Sequence, residues 1–344
     1  MRDDASLPAP STKPVLTLRY DLRCPSFGRP AGEMYATALE QARWAEAHGF
    51  AGVTISEHHS SDDGYCPSPI PLAAALAGAT SRLRITIAAL LVPLYDPIRL
   101  AEDLAVTDLA SGGRLTAVFG AGYRETECNL FGITLADRVR RLEEGIGVLR
   151  QAWTGEPFEY RGHTVRVTPR PLQQPSIPIV LAGSTKGSAR RAARLADGFA
   201  PVSPDLYAVY AEECAKLGKP CGPAPGRGGP LFLYVSDDPE RDWALIAPHA
   251  LHETNSYGRW LNEGPEAGPY QPMDDVAALR ASGSYRVVTP EECLELARQV
   301  DVLTFHALMG GLPPDVSWRS LELFASEVLP HLRDDEAALA AAPA

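Results

Sequence analysis

The 344-residue sequence contains no hydrophobic run long enough to cross a membrane. Its longest apolar stretch, Ile85 to Val92, has the length of a strand, whereas a membrane-spanning helix needs about 18 or more apolar residues. The first 14 residues have no apolar core, so no secretory signal peptide is predicted. Positive charge is also scarce, and the resulting net charge of −11 repels phosphate backbones and argues against a nucleic-acid partner.

The sequence also lacks the paired motifs of metal sites and disulfide frameworks. No two cysteines form a CxxC pair; the six lie far apart, at positions 24, 66, 128, 214, 221 and 293. That spacing predicts reduced thiols in the cytoplasm rather than a disulfide frame or a zinc ribbon. The Walker A motif, the HExxH zinc motif and the GxSxG nucleophile elbow are absent, so neither ATP binding nor a metal site is predicted.

The sequence does contain a regular alternation of apolar strands and amphipathic helices. Eight strand candidates lie at residues 16–22, 52–57, 84–92, 114–120, 177–182, 198–202, 231–236 and 302–307, and each is followed by a helical pattern. The clearest helix covers residues 137–153, where apolar residues recur at intervals of three and four. This alternation implies a parallel sheet covered by helices.

Eight strand–helix units in about 320 residues favour a (β/α)8 TIM barrel of the α/β class over a doubly wound sheet, which usually needs fewer strands. We expect insertions after strands four and seven. We also expect one domain at residues 15–333, with loose tails at 1–14 and 334–344. In such barrels the catalytic groups lie at the C-terminal ends of the strands.

The end of strand two carries the sequence Glu57-His58-His59. Because side chains alternate along a strand, His58 is expected to point opposite to its two neighbours and toward the barrel mouth. An imidazole exchanges protons near neutral pH, which suits general acid or base catalysis. A purely structural role for both histidines is the alternative interpretation.

Three further segments near strand ends are candidates for ligand contacts. Ala88-Ala89 in strand three either fills space or lets a flat ring approach the backbone. Gly122, after strand four, permits close approach of a ligand. The loop at 182–188 opens a helix, where free amides and the helix dipole favour a phosphate. The alternative for this loop is an ordinary helix start with Ser188 as the N-cap.

Together these segments resemble the luciferase-like monooxygenase superfamily, which includes the bacterial luciferase subunits and related flavin- and deazaflavin-dependent oxidoreductases. Four segments carry the resemblance, which extends over about residues 15–333: EHH at 57–59, ITIAALLVPLYDPIRLAEDLAVTDLASGGRL at 85–115, FGAGYRETECNLFGI at 119–133 and LAGSTKGSARRAARLADG at 181–198. It implies a TIM barrel with a cofactor at its mouth and His58 as the catalytic residue. It also implies a non-proline cis peptide at Ala88-Ala89. The implied cofactor-binding residues are Ala88, Ala89, Gly122, Tyr123, Gly183, Ser184, Gly187 and Ser188.

The resemblance further implies a flavin-dependent monooxygenase that uses oxygen and reduced FMN, supplied by a separate reductase, to oxygenate a small organic substrate. One departure concerns the flavin phosphate, which luciferase holds with an arginine after strand four. Here that position is Ala121, so Arg124 or Lys186 is expected to supply the charge. The substrate pocket is expected to include Tyr20, Tyr95 and Arg124, and the resemblance implies a homodimer.

Two other functions remain open. Loss of the phosphate arginine favours a deazaflavin (coenzyme F-420)-dependent oxidoreductase that transfers hydride, although that branch often has Asp-His where this chain has Glu57-His58. A non-catalytic flavin-binding subunit is the second alternative, and the presence of His58 argues against it. The segment at 255–285, rich in Gly, Pro and Tyr, is predicted to form an irregular, mobile lid over the site.

Overall fold

The computed structural model describes residues 13–261, 270 and 272–332. The tails predicted at 1–14 and 334–344 therefore lie outside the described residues, apart from residues 13 and 14. None of the helices in this part of the chain combines the length and the apolar character that a membrane crossing requires. All six cysteines are described and carry free thiols, as their spacing predicts.

Most of the strands in the described ranges belong to one curled parallel sheet. The strands are β1 (Val15–Tyr20), β2 (Gly52–Ile55), β3 (Arg84–Leu91), β4 (Leu115–Gly120), β5 (Phe158–Tyr160), β6 (His163–Val165), β7 (Ile179–Gly183), β8 (Gly198–Pro201), β9 (Phe232–Val235), β10 (Tyr285–Val288) and β11 (Val302–Phe305). Seven of them pair in the order β11-β1-β2-β3-β4-β7-β8. The predicted parallel sheet of an α/β protein is therefore confirmed.

The strand predicted at 231–236 forms β9 but does not join the seven-stranded sheet. It pairs in parallel with β10, which lies at the end of the stretch predicted to be irregular. The segment before β9 instead pairs with the edge strand β11. Gly228 forms a bridge with Val302, and the Gly229 amide donates to the Val302 carbonyl. Among the described residues no ladder joins β8 to β9, so the predicted closed barrel is observed as a seven-stranded half-barrel.

Helices alternate with the strands along the chain. They are α1 (Ala31–Ala47), α2 (Pro69–Ala79), α3 (Pro97–Ser111), α4 (Glu125–Leu130), α5 (Arg138–Ala152), α6 (Lys186–Leu195), α7 (Pro204–Lys216), α8 (Pro239–Leu261), α9 (Val276–Ala281), α10 (Pro290–Ala297) and α11 (Pro314–Leu323). The periodicity that predicts α5 is confirmed, because Leu142, Ile146 and Leu149 are all buried on one face. The connection from β4 to β7 holds α4, α5 and the β5–β6 hairpin.

The segment at 255–285 is more regular than the sequence predicts. Residues 255–261 form the last turns of α8, and α9 and the start of β10 follow later in the segment. Residues 262–269 and 271 lie outside the described residues. The prediction of irregular structure is therefore wrong for the described ends of the segment, and its mobility stays a prediction.

Alternation along β1 sorts its side chains between two faces. Leu16, Leu18 and Tyr20 are buried in the hydrophobic core, whereas Thr17 and Arg19 are half-buried on the opposite face. The Thr17 hydroxyl oxygen lies 2.9 Å from that of Thr304 on β11, inside the curl of the sheet. Because the seven strands are parallel, their C-terminal ends meet at one edge, and Arg19 points into the space there.

Candidate active site

A cavity of about 390 Å³ opens at the C-terminal ends of the strands. Side chains and backbone of β1, β3, β4 and β7 line it, together with the segments that follow β2 and β4. Helices α5, α6 and α8 contribute the remaining walls. This is the edge where barrels of parallel strands carry their catalytic groups.

His58 lines this cavity and is nine-tenths buried. Its Nδ1 lies 2.7 Å from Oε1 of Glu127 on α4. The same oxygen accepts hydrogen bonds from the His59 amide at 2.9 Å and from the Arg124 guanidinium at 3.3 Å. Burial alone would raise the pKa of Glu127, but these donors lower it, so the carboxylate is ionised. An ionised carboxylate at Nδ1 fixes the ring and leaves Nε2 to the cavity, 3.4 Å from the Tyr123 hydroxyl.

Glu57 connects the ends of β2 and β3. Its Oε1 lies 2.8 Å from Nε2 of His59 and accepts a hydrogen bond of 2.8 Å from the Tyr95 hydroxyl. Its Oε2 accepts a hydrogen bond of 2.8 Å from the Leu91 amide. His59 therefore has a structural partner, and His58 is the histidine that borders the cavity. Alternation predicts this division only in part, because β2 ends at Ile55 and Glu57 lines the cavity together with His58.

Two tyrosines predicted to line a substrate pocket do not border the cavity. Tyr20 is fully buried and donates a hydrogen bond to Gln41, because its place in β1 turns it toward the helices. The Tyr95 hydroxyl donates a hydrogen bond to Glu57. Burial, together with that carboxylate, raises the pKa of Tyr95. Arg124, also predicted there, is buried between Glu127 and the Trp260 ring and borders a neighbouring polar pocket instead.

The Ala88–Ala89 peptide is cis, as the resemblance implies, and both residues line the cavity. The pairing of β3 with β4 shifts register at this point, between Ala88 and Leu90. A Cβ added at Gly120 would lie 3.0 Å from the Ala89 Cβ. Small residues on both strands therefore leave a flat, apolar stretch of backbone facing the cavity.

The turn between β7 and α6 has a different cap from the predicted one. Thr185, not Ser188, is the N-cap, because its backbone is extended and α6 begins at Lys186. The two residues form a reciprocal capping box: the Ser188 amide donates to Thr185 Oγ1, and the Thr185 amide donates to Ser188 Oγ, both at 3.1 Å. Gly183 packs directly against Ser188, since an added Cβ would overlap that side chain.

Of the predicted residues in this turn, Gly183, Ser184 and Ser188 line the cavity, and Gly187 is exposed outside it. Gly122 and Tyr123 line the cavity on the other side. The cations beside it are also different from those expected. Lys186 is exposed, whereas Arg138 and Arg191 line the cavity, and Arg191 Nε lies 2.8 Å from Glu143.

Sequence reasoning missed Glu127, Arg138, Arg191 and Arg19. Two of them left a signal in the sequence. Glu127 lies three residues after Arg124, the spacing that brings two side chains together on a helix. Arg191 lies three residues after Ser188, and therefore on the same face of α6. Which cation on α5 reaches the cavity depends on how that helix packs, which no local pattern specifies.

A fully buried charge cluster lies behind the cavity and joins β1, α8 and β11. His306 places Nε2 3.4 Å from Asp21 and Nδ1 3.2 Å from Glu253. Burial alone would lower the pKa of His306, but the two carboxylates raise it. Arg23 is equally buried and pairs with Asp21 at 3.1 Å and with Asp63 at 2.6 Å. Because both imidazole nitrogens face carboxylates, the cluster is best described as a charged network.

Comparisons with known proteins agree with this geometry. A model of the luciferase-like monooxygenase family matches residues 22–307. A 4-hydroxyprotoasukamycin monooxygenase of Streptomyces nodosus subsp. asukaensis is 27% identical over 320 residues, which cover 85% of each chain. An F-420-dependent glucose-6-phosphate dehydrogenase of Nakamurella multipartita is 25% identical over 94% of this chain and 98% of its own.

A similar solved structure is the oxygenating constituent of 3,6-diketocamphane monooxygenase from Pseudomonas putida, in complex with FMN. It has a TM-score of 0.70 and 20% sequence identity, and the match covers 92% of this chain and 98% of that one. At this identity the likeness concerns the fold. It agrees with the curled parallel sheet described above.

Proposed function

The chain belongs to the luciferase-like monooxygenase family and is an oxidoreductase, and from this premise we propose that it is a flavin-dependent monooxygenase. It would use reduced FMN and oxygen to oxygenate a small organic substrate. The observation that carries the proposal is His58, whose ring is held by an ionised carboxylate and whose Nε2 is turned to the cavity.

The residues around the cavity fit FMN. The Ala88–Ala89 backbone, with Gly120 behind it, offers a flat apolar surface to a ring. The Lys186 and Gly187 amides that open α6 have no acceptor within the helix, and Arg191, which also pairs with Glu143, lies on the same helix, an arrangement that suits a phosphate. These groups would therefore hold the ring and the phosphate. When bound, reduced FMN supplies the electrons that activate oxygen.

The chain itself contributes a proton and a dry environment. His58 Nε2 would give or take a proton at the reacting centre, and Glu127 would stabilise the charged ring. The rings of Trp260, Tyr65 and Tyr257 surround His58 at centroid distances of 4.8, 5.0 and 5.9 Å. Such an aromatic wall excludes water and strengthens electrostatic interactions within the site.

Hydride transfer with coenzyme F-420 is the second candidate, supported by the dehydrogenase of Nakamurella multipartita that aligns over nearly the full length of both chains. The same phosphate turn and the same flat surface would accept that cofactor. The two functions differ in their use of oxygen, because reduced deazaflavin does not activate it efficiently.

A binding titration of the purified full chain with FMN, reduced FMN and F-420 separates the candidates. We expect reduced FMN to bind and to support oxygen consumption that depends on the protein. The variant H58Q should retain cofactor binding and lose oxygenation, while H163Q, which changes an exposed histidine of the hairpin, should behave as the wild type. Binding of F-420 without oxygen-dependent turnover of reduced FMN would overturn the monooxygenase proposal.

Three further expectations accompany this proposal. A separate reductase would supply the reduced flavin, as the resemblance to the family implies. The homodimer and the cytoplasmic location stay predictions. If H58Q left both turnover and cofactor affinity unchanged, the non-catalytic flavin-binding subunit would be the better description.

A further inference from the structure

Arg19 is an unusual residue for an inner strand of a sheet. It lies on β1 among apolar neighbours and lines the cavity floor. Its Nη1 donates a hydrogen bond of 2.8 Å to the Tyr270 hydroxyl, and its Nη2 donates one of 3.2 Å to the Tyr257 hydroxyl. A guanidinium carries five N–H donors, so two neutral hydroxyls use only part of its capacity.

Two arginines near the site that are more deeply buried than Arg19 form ion pairs with carboxylates. Arg23 forms ion pairs with two carboxylates, and Arg124 forms one with Glu127. Arg19 forms no ion pair with any carboxylate of the described residues. The acidic groups in its surroundings, Glu253 and Asp21, have other partners. The Tyr285 hydroxyl donates to Glu253, Arg23 donates to Asp21, and His306 lies within 3.4 Å of both carboxylates.

Arg19 also lies apart from the phosphate turn. Three strands, β2, β3 and β4, separate β1 from β7 in the sheet. The Ala88–Ala89 surface lies on β3, between the two. The strand order therefore places the proposed phosphate turn and Arg19 on different sides of the flat Ala88–Ala89 surface.

We propose that Arg19 binds the carboxylate of the substrate, which makes the substrate a small organic acid. A planar fork of N–H donors matches a carboxylate in a bidentate manner, and in a buried site such charge-assisted bonds are strong. Tyr65, Tyr123, Tyr257 and Tyr270 also line the cavity, which favours an acid with a flat, unsaturated or aromatic body. This assignment of a substrate class rests on the proposed function.

The test is a binding titration with benzoate and with its neutral isostere benzamide, followed by calorimetry. Inorganic phosphate is present throughout to occupy the α6 end, and no flavin is added. The wild type is expected to bind benzoate about tenfold more tightly than benzamide, because only benzoate can form charge-assisted hydrogen bonds with Arg19. R19M should remove that preference, and R140M, the same change at an exposed arginine, should retain it.

Three outcomes would overturn the proposal: no preference for benzoate in the wild type, a preference that survives in R19M, or a loss of FMN affinity in R19M as large as the loss of benzoate affinity. The last outcome would assign Arg19 to the cofactor. If R19M does not fold, R19K replaces it, and an unchanged benzoate affinity there would contradict a bidentate contact. The benzoate and benzamide titrations contain no flavin, so their result can be interpreted even if the chain does not bind FMN.

Discussion

Replacing Gly183 with alanine tests how tightly the turn before α6 is packed. The new Cβ would overlap Ser188 Oγ and Cβ and lie 3.0 Å from Phe199 Cε2. Ser188 cannot move away freely, because its hydroxyl and amide form the capping box with Thr185. Overpacking costs about 1–3 kcal/mol, and a disturbed cap costs about 1 kcal/mol more. We therefore expect G183A to lower the free energy of unfolding by about 2–4 kcal/mol.

Gly187 supplies the matched control four residues away. An added Cβ there would lie 3.7 Å from Thr185 Oγ1, an ordinary contact, and the residue is already helical. We expect G187A to stabilise the protein by up to about 1 kcal/mol. Urea unfolding of both variants gives the two free energies, and an FMN titration shows whether G183A also weakens binding. A G183A midpoint equal to that of the wild type would refute this account of the turn.

Three further predictions concern the site, the charged network and a distant cap. H58Q should lower turnover by about 10²–10⁴-fold in steady-state assays; E127Q, which keeps an acceptor but removes the charge, should lower it less. Burial alone would raise the pKa of Asp21, but the His306 and Arg23 cations lower it to about 2. The stability that ionised Asp21 contributes is therefore present above its unfolded pKa of about 3.9 and is lost as the pH falls. Between about pH 5 and pH 2, the free energy of unfolding measured in urea should fall less steeply for D21N than for the wild type. T289A removes the α10 capping box and should cost about 1 kcal/mol in the same assay.

The sequence predicts those features that depend on local periodicity. The strand positions in the half-barrel and the helix at 138–152 follow from apolar spacing, because one buried face fixes the register of each element. His58 follows from the resemblance more than from alternation, because β2 ends at Ile55 and both Glu57 and His58 line the cavity. The cis peptide at Ala88–Ala89 follows only from the resemblance, since two alanines carry no local signal for it.

What the sequence does not predict depends on contacts between distant segments. No ladder joins β8 to β9 in the described residues, and the edge strand β11 is instead contacted by Gly228 and Gly229. Their partner on β11 is Val302, some 70 residues later in the chain. The predicted N-cap at Ser188 is wrong because Thr185 and Ser188 are both good caps, and only the backbone conformation of Thr185 distinguishes them. The cations beside the cavity depend on the packing of whole helices.

The buried charged network has a consequence for heat resistance. Six ionisable side chains are connected by short contacts, among them 2.7 Å from His252 Nε2 to Asp63: Asp21, Arg23, Asp63, His252, Glu253 and His306. The cost of removing such charges from water falls as temperature rises, whereas the hydrophobic contribution levels off. The network therefore holds β1, α8 and β11 together relatively more strongly in hot solution than in cold, at the back wall of the cavity.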